Sequence, residues 1–266
     1  MPIGIVKQSR PDPVAEIWAA WTPRRVAWWQ TWAIAVLATL SVAEQYVIHI
    51  LGREDLEDFL ITFDLDAESN LPTWYSSIML LVCSVLIGMI ASRTRRLGGR
   101  FVRHWRALSA LFAFLSLDEI ARLHEHLGRL HESWHTHGLF YFAWVIPGAA
   151  FVAVVGVLFL RFFLHLPAAT RWRFFWSGVV FVTGALVVEA LGGWRAETMG
   201  MNNMTHSLIA TVEEVMEIAG VAGFLVALLR YWGELGGGSD PMAIAARNGE
   251  AAAVDDATED SYLAAS

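Results

Sequence analysis

Six apolar stretches of bilayer-spanning length run through this chain, and four of them carry acids and histidines that an apolar helix can bury only at a cost. A span needs about 20 apolar residues. The candidates are Trp28 to Leu51, Trp74 to Ala91, Trp105 to Leu127, Leu139 to Phe163, Phe174 to Leu191 and Ser207 to Leu229. A charged side chain at the centre of such a helix costs about 2.5 to 3.5 kcal/mol on insertion scales. Glu44, Asp118, Glu119, His124, Glu125, Glu189, His206, Glu213, Glu214 and Glu217 therefore require partners, a bound ion or a water-filled cavity.

With 56% hydrophobic and 17% charged residues in 266, the chain is too apolar for an ordinary soluble domain. The expected fold is all-α, a six-transmembrane-helix bundle over residues 28–232. A cytoplasmic segment, 1–27, precedes it, with a short surface helix expected over Pro13 to Trp21. A disordered cytoplasmic tail, 233–266, follows, rich in Gly, Ala, Asp and Glu. The net charge of −7 arises from the Arg53 to Glu68 loop, the Asp255 to Asp260 tail and the acids within the spans, and no basic face suits nucleic acid. Cys83, alone in the middle of an apolar run, reads as a small buried hydrophobe. Ser41-Val42-Ala43 resembles a signal-cleavage site, but the apolar pattern continues through Leu51 and favours a retained span.

Arginines fix the expected orientation. Arg24 and Arg25 precede the first span, Arg93, Arg95, Arg96, Arg100, Arg103 and Arg106 lie between the second and third, and Arg161, Arg171 and Arg173 lie between the fourth and fifth. The positive-inside rule puts these loops and both termini in the cytoplasm. Trp28, Trp29, Trp74, Trp105, Trp144, Trp172 and Trp232 sit near span ends, as an aromatic belt requires. In this frame Asp118 lies near mid-membrane, Glu119, His124 and Glu125 follow outward, and His206, Glu213, Glu217 and Gly220 form one helical stripe. The first, third, fifth and sixth helices are thus expected to surround one outward-opening polar cavity, with the uncharged second and fourth facing lipid.

Carboxylates and imidazoles converging from several helices are the ligand types of iron, manganese or zinc sites. Asp118, His124, Glu189, His206, Glu213 and Glu217 are the candidate metal ligands, and Glu119, Glu125 and Glu214 the candidate catalytic carboxylates. The Glu-x-x-His repeat of helical dimetal proteins is missing from the spans; its single occurrence, Glu132 to His135, falls in a loop. That loop also matches H-E-x-x-H at His131 to His135, but five histidines between Leu123 and His137 make chance spacing common. His49, His124 and His206 lie at depths compatible with haem ligation, although the acids suit metal ions better. Ser109, Ser116 and Ser207 lie near the acids without the spacing of a recognised nucleophile motif.

Three segments carry a resemblance: DLDAESNLPTWYSSIMLL from Asp64 to Leu81, FLSLDEIARLHE from Phe114 to Glu125, and EEVMEIAG from Glu213 to Gly220. Together they resemble a group of uncharacterised bacterial multipass membrane proteins. The resemblance implies an inner-membrane location and supplies no activity. It includes Asp118, Glu119, His124, Glu125, Glu213, Glu214 and Glu217 and omits the His131 to His135 motif.

Two function classes follow. One is a metal-dependent oxidoreductase or hydrolase acting on a lipid or other apolar small molecule, with its cavity facing outward. The other is a non-catalytic membrane protein whose acids bind or conduct a cation or proton, or join helices.

Overall fold

The structure, a computed structural model, describes residues 22–67, 69–123 and 136–237. The expected Pro13 to Trp21 helix, Glu68, His124, Glu125, the His131 to His135 motif and the tail beyond residue 237 lie outside the described residues. Two compact units divide the chain at Leu228/Leu229; of the second, residues 229–237 continue the last helix.

The described residues form an all-α fold of six long helices. These are α1 (Pro23–His49), α2 (Leu71–Arg96), α3 (Val102–Ala121), α4 (Val145–His165), α5 and α6 (Met204–Gly237). The fifth, α5, begins as Ala168–Val182, widens into a π-helical stretch at Thr183–Val188, and resumes as Glu189–Met199. Local chemistry sets the starts. Thr22 caps α1 by accepting the Arg25 N–H at 3.3 Å ahead of Pro23, and Asn70 caps α2 by accepting the Thr73 N–H at 3.2 Å. These are the side chains and the proline position that helix N-termini favour.

Helices α1, α2, α4 and α5 are long and apolar enough to cross a membrane, so this is a membrane protein. Val157 on α4 is 75% exposed and Trp29 on α1 65%. An apolar surface of that extent needs lipid rather than water around it. In α3 the apolar stretch is shorter, because Arg103 and Arg106 stand at one end of its 20 residues and Asp118 and Glu119 at the other.

Three expectations about the helices are corrected. The uncharged α2 is not mainly lipid-facing: 56% of its apolar stretch is buried, against 11% for α4, and Trp74, Leu81 and Val85 stay exposed on its other side. Its serines explain the burial. Ser77 Oγ donates to the Ser116 carbonyl at 2.9 Å and Ser116 Oγ to the Ser77 carbonyl at 2.8 Å. Two turns away, Ser84 Oγ and Ser109 Oγ repeat the exchange, each donating to the other's carbonyl at 2.8 Å. Residues seven apart return to one helical face, so α2 and α3 are fastened in antiparallel register by two reciprocal pairs. Cys83, Ile87 and Ile90 fill the buried side of α2.

Second, α3 stops at Ala121, and Arg122 adopts a left-handed backbone conformation with φ 57°. Asp118 and Glu119 therefore occupy the last turn of α3, which ends short of the expected Leu127. Third, two of the tryptophans expected in the aromatic belt are engaged with other side chains. Trp105 is 2% exposed and packs edge-on against Phe162 at 4.8 Å, while Trp144 donates to Glu189.

Helices α5 and α6 run antiparallel in close contact. A Cβ on Gly220 would lie 2.7 Å from the Phe181 Cβ and 2.8 Å from its backbone N, and one on Gly184 would lie 2.9 Å from the Glu213 carbonyl oxygen. Only glycine permits that approach. Away from the acids, Phe224 of α6 stacks on Phe112 of α3 at 4.9 Å and meets Phe174 of α5 at 4.5 Å.

Candidate functional site

Close α5–α6 packing brings the acids together. Gly184 fits against Glu213 and Glu217 of α6, and five residues later α5 presents Glu189. A π-helical turn accommodates an extra residue, which turns everything after it by about 100° relative to an uninterrupted α-helix. With that phase, Glu189 accepts the Trp144 indole N–H at 2.6 Å and is hydrogen-bonded to Glu213. Glu213 is 9% exposed and lies within electrostatic reach of Glu189, Glu217 and Glu214. Glu214 in turn is within reach of Glu217, Glu119, Asp66 and Glu189. Carboxyls from α3, α5 and α6 thus form one cluster, joined by an aspartate from the α1–α2 connection.

That connection is held in place rather than hanging free. Short helical turns at Glu54–Leu56, Glu57–Leu60 and Ile61–Phe63 lead to Asp64. The Asn70 side chain donates to the Ile61 and Asp64 carbonyls at 3.0 and 2.6 Å. On α1, buried Ser41 accepts the Leu65 N–H at 3.1 Å and donates to Asp64 Oδ1 at 3.5 Å. Gln45 links buried Glu44, at 3.3 Å, to Asp64. Asp64 Oδ1 also accepts the Asp66 N–H at 3.1 Å. Burial holds the Asp64 carboxyl above the usual carboxylate range, with hydrogen bonds from Asp66, Gln45 and Ser41 and the charge of His49 opposing. Asp66 is raised by desolvation and by Asp64 beside it, while His206 pulls the other way.

His206 begins α6. Its own N–H is capped by Asn203 Oδ1 at 3.1 Å, and the residue is 8% exposed. The Nδ1 atom of its ring is buried without a hydrogen-bond partner among the described residues. Next to it, Ser207 Oγ stands 3.4 Å from His49 Nε2 and 3.4 Å from the Asn203 carbonyl.

Among the candidate site residues, Glu119, Glu189, Glu213, Glu214 and Glu217 are brought together, and His206 joins them through Asp66. Asp118 shares the last turn of α3. Glu189 lies inside α5, which runs on to Met199. His124 and Glu125 lie outside the described residues, and among the described residues no three His, Cys, Asp or Glu side chains stand ready to hold a metal ion. Ser109 and Ser116 are committed to α2 carbonyls, which removes the reason to read them as nucleophiles. Asp64, Asp66 and Trp144 were not expected in the site. The Asp-x-Asp spacing before the Asn70-Leu71-Pro72 helix start was the available sign for the aspartates; Trp144 looked like any other interfacial tryptophan.

A model of a domain of unknown function, DUF8692, matches residues 31–232, which takes in the clustered acids, four of the six helices whole and most of the first and last. The chain belongs to the DUF8692 family. No curated protein and no solved structure matches it.

Proposed function

We propose that this DUF8692 protein is a six-span protein of the bacterial inner membrane, with both ends cytoplasmic, whose acidic cluster binds a divalent cation in a cavity facing outward. The alternation of arginine-rich and acidic connections supports that orientation. In this reading α3 and α6 also cross the bilayer, sheltered by the four more apolar helices. The observation that carries the proposal is the convergence of Glu119, Glu189, Glu213, Glu214 and Glu217 from three helices. So many carboxyls, gathered by glycine contacts and a π-helical turn, call for positive charge among them.

Iron, manganese or zinc suits the oxygen and imidazole donors. Bound there, a metal supplies Lewis-acid or redox chemistry for an oxidoreductase or hydrolase acting on a lipid or other apolar molecule entering from the bilayer. Glu213, Glu217, Glu189, Asp118, His124 and His206 are the proposed ligand pool, leaving Glu119, Glu125 and Glu214 for proton transfer. Metal analysis of protein purified without chelators tests this, with Glu217→Ala and His124→Ala beside it. A stoichiometric metal that the variants lose supports the reading; a metal-free wild type refutes it. An optical spectrum of the same sample separates haem from the other metals.

One observation favours a second reading. The Glu189–Glu213 hydrogen bond needs a proton on one of the two carboxyls. Acids that share protons in this way join helices or pass protons without a metal.

A further inference from the structure

We infer that Asp66 and His206 form a capture site for a divalent cation at the mouth of the acidic cluster, from which the ion passes to Glu214 and the carboxylates beyond. The inference rests on the cation-binding reading above and adds an entry point to it. Three observations lead here.

The first is the buried ring of His206. An imidazole nitrogen shut away from water without a hydrogen bond costs free energy, commonly about 1 to 3 kcal/mol. Nδ1 of His206 bears such a cost, although Asn203 has already fixed the backbone at this point. A neutral imidazole nitrogen with a free lone pair is a metal ligand.

The second is the position of Asp66. It is exposed, unlike Glu213, yet it lies within electrostatic reach of both His206 and Glu214. It therefore connects water on one side to the cluster on the other.

The third is how firmly Asp66 is set. Its N–H donates to Asp64, Asp64 is tied to Ser41 and Gln45 of α1, and Asn70 ties the same turn to the start of α2. A carboxylate held on a rigid turn keeps its distance to a helix-borne histidine.

One oxygen and one nitrogen donor, completed by water, make a weak and exchangeable site. That fits the absence, among the described residues, of any three-residue set ready to hold a metal. Weak capture is what an entry point requires, because an ion held tightly at the mouth would not move inward.

The test is kinetic. Metal-free full-length protein in detergent is mixed with Co²⁺, and loading is followed by the visible bands of the bound ion, for wild type, Asp66→Asn, His206→Gln and Glu217→Gln. Asp66→Asn is expected to slow loading about tenfold while reaching the wild-type end point, and His206→Gln, which also removes a proposed ligand of the cluster, to slow loading and lower the end point. Glu217→Gln is expected to lower the end point itself. Asp66 is exposed, so Asp66→Asn gives a valid result even where His206→Gln disturbs the packing. Wild-type loading rates in Asp66→Asn would overturn the capture site and leave cation binding standing. A wild type that takes up no Co²⁺ would overturn both.

Discussion

Two helix pairs in this molecule both use small and polar residues to pack closely, and they end in opposite electrostatic states. Between α2 and α3, each serine hydroxyl is answered by a carbonyl opposite, so the interface balances its own polar groups. Between α5 and α6, Gly184 and Gly220 allow equally close contact, but the groups gathered there are carboxyls that repel one another. A self-satisfied polar contact reads as structure. A contact that concentrates like charge, next to a buried imidazole nitrogen without a partner, reads as a site.

The contrast breaks first at Gly220. Gly220→Ala forces a Cβ against the Phe181 backbone, and overpacking of that kind costs about 1 to 3 kcal/mol. A clear fall in thermal midpoint in detergent is expected, with loss of cation binding as α5 and α6 separate. Deleting Leu186 removes the extra residue of the π-helical turn and rotates Glu189 away from Trp144 and Glu213. Cation affinity should fall at least tenfold with helix content unchanged by circular dichroism. Equal affinity would mean that the phase of Glu189 is irrelevant.

On the neutral side, Ser84→Ala should cost only about 0.6 kcal/mol, the average for hydrogen bonds between membrane helices. It should leave cation binding untouched. The smallest effect expected is a pH dependence from the α1–α2 connection. Burial raises the pKa of Asp64, so the folded protein binds this proton more tightly than the unfolded chain does. Stability from this group is then fully present below the unfolded pKa and declines as pH rises through the raised folded value. Thermal unfolding between about pH 4 and pH 7 should show that decline in the wild type and a flatter profile in Asp64→Asn.

How much the sequence disclosed differs between the two regions. The all-α class was legible from apolar stretches, and so was the Glu213, Glu217 and Gly220 stripe, because helical periodicity governs both. The burial of α2 was not, since a rule that sends uncharged helices to lipid overlooks serines, whose hydroxyls pair across helices without carrying charge. The break at Arg122 escaped for a different reason: φ of 57° is uncommon for a residue with a Cβ, and arginine gives no sign of it. Nothing in Thr183–Val188 announces a π-helical turn either, because these residue types occur as readily in an ordinary α-helix. Asp66 was legible only as loop charge, since its role depends on folding back to His206.

The most direct test of the acidic cluster as a cation site is the electron paramagnetic resonance of Mn²⁺ added at one equivalent to metal-free protein. The wild type should replace the six-line spectrum of the free ion with a broadened bound signal, and Glu217→Gln should leave most of the ion free. An unchanged free-ion spectrum in the wild type would contradict cation binding and leave the carboxyls as proton-sharing joints between helices.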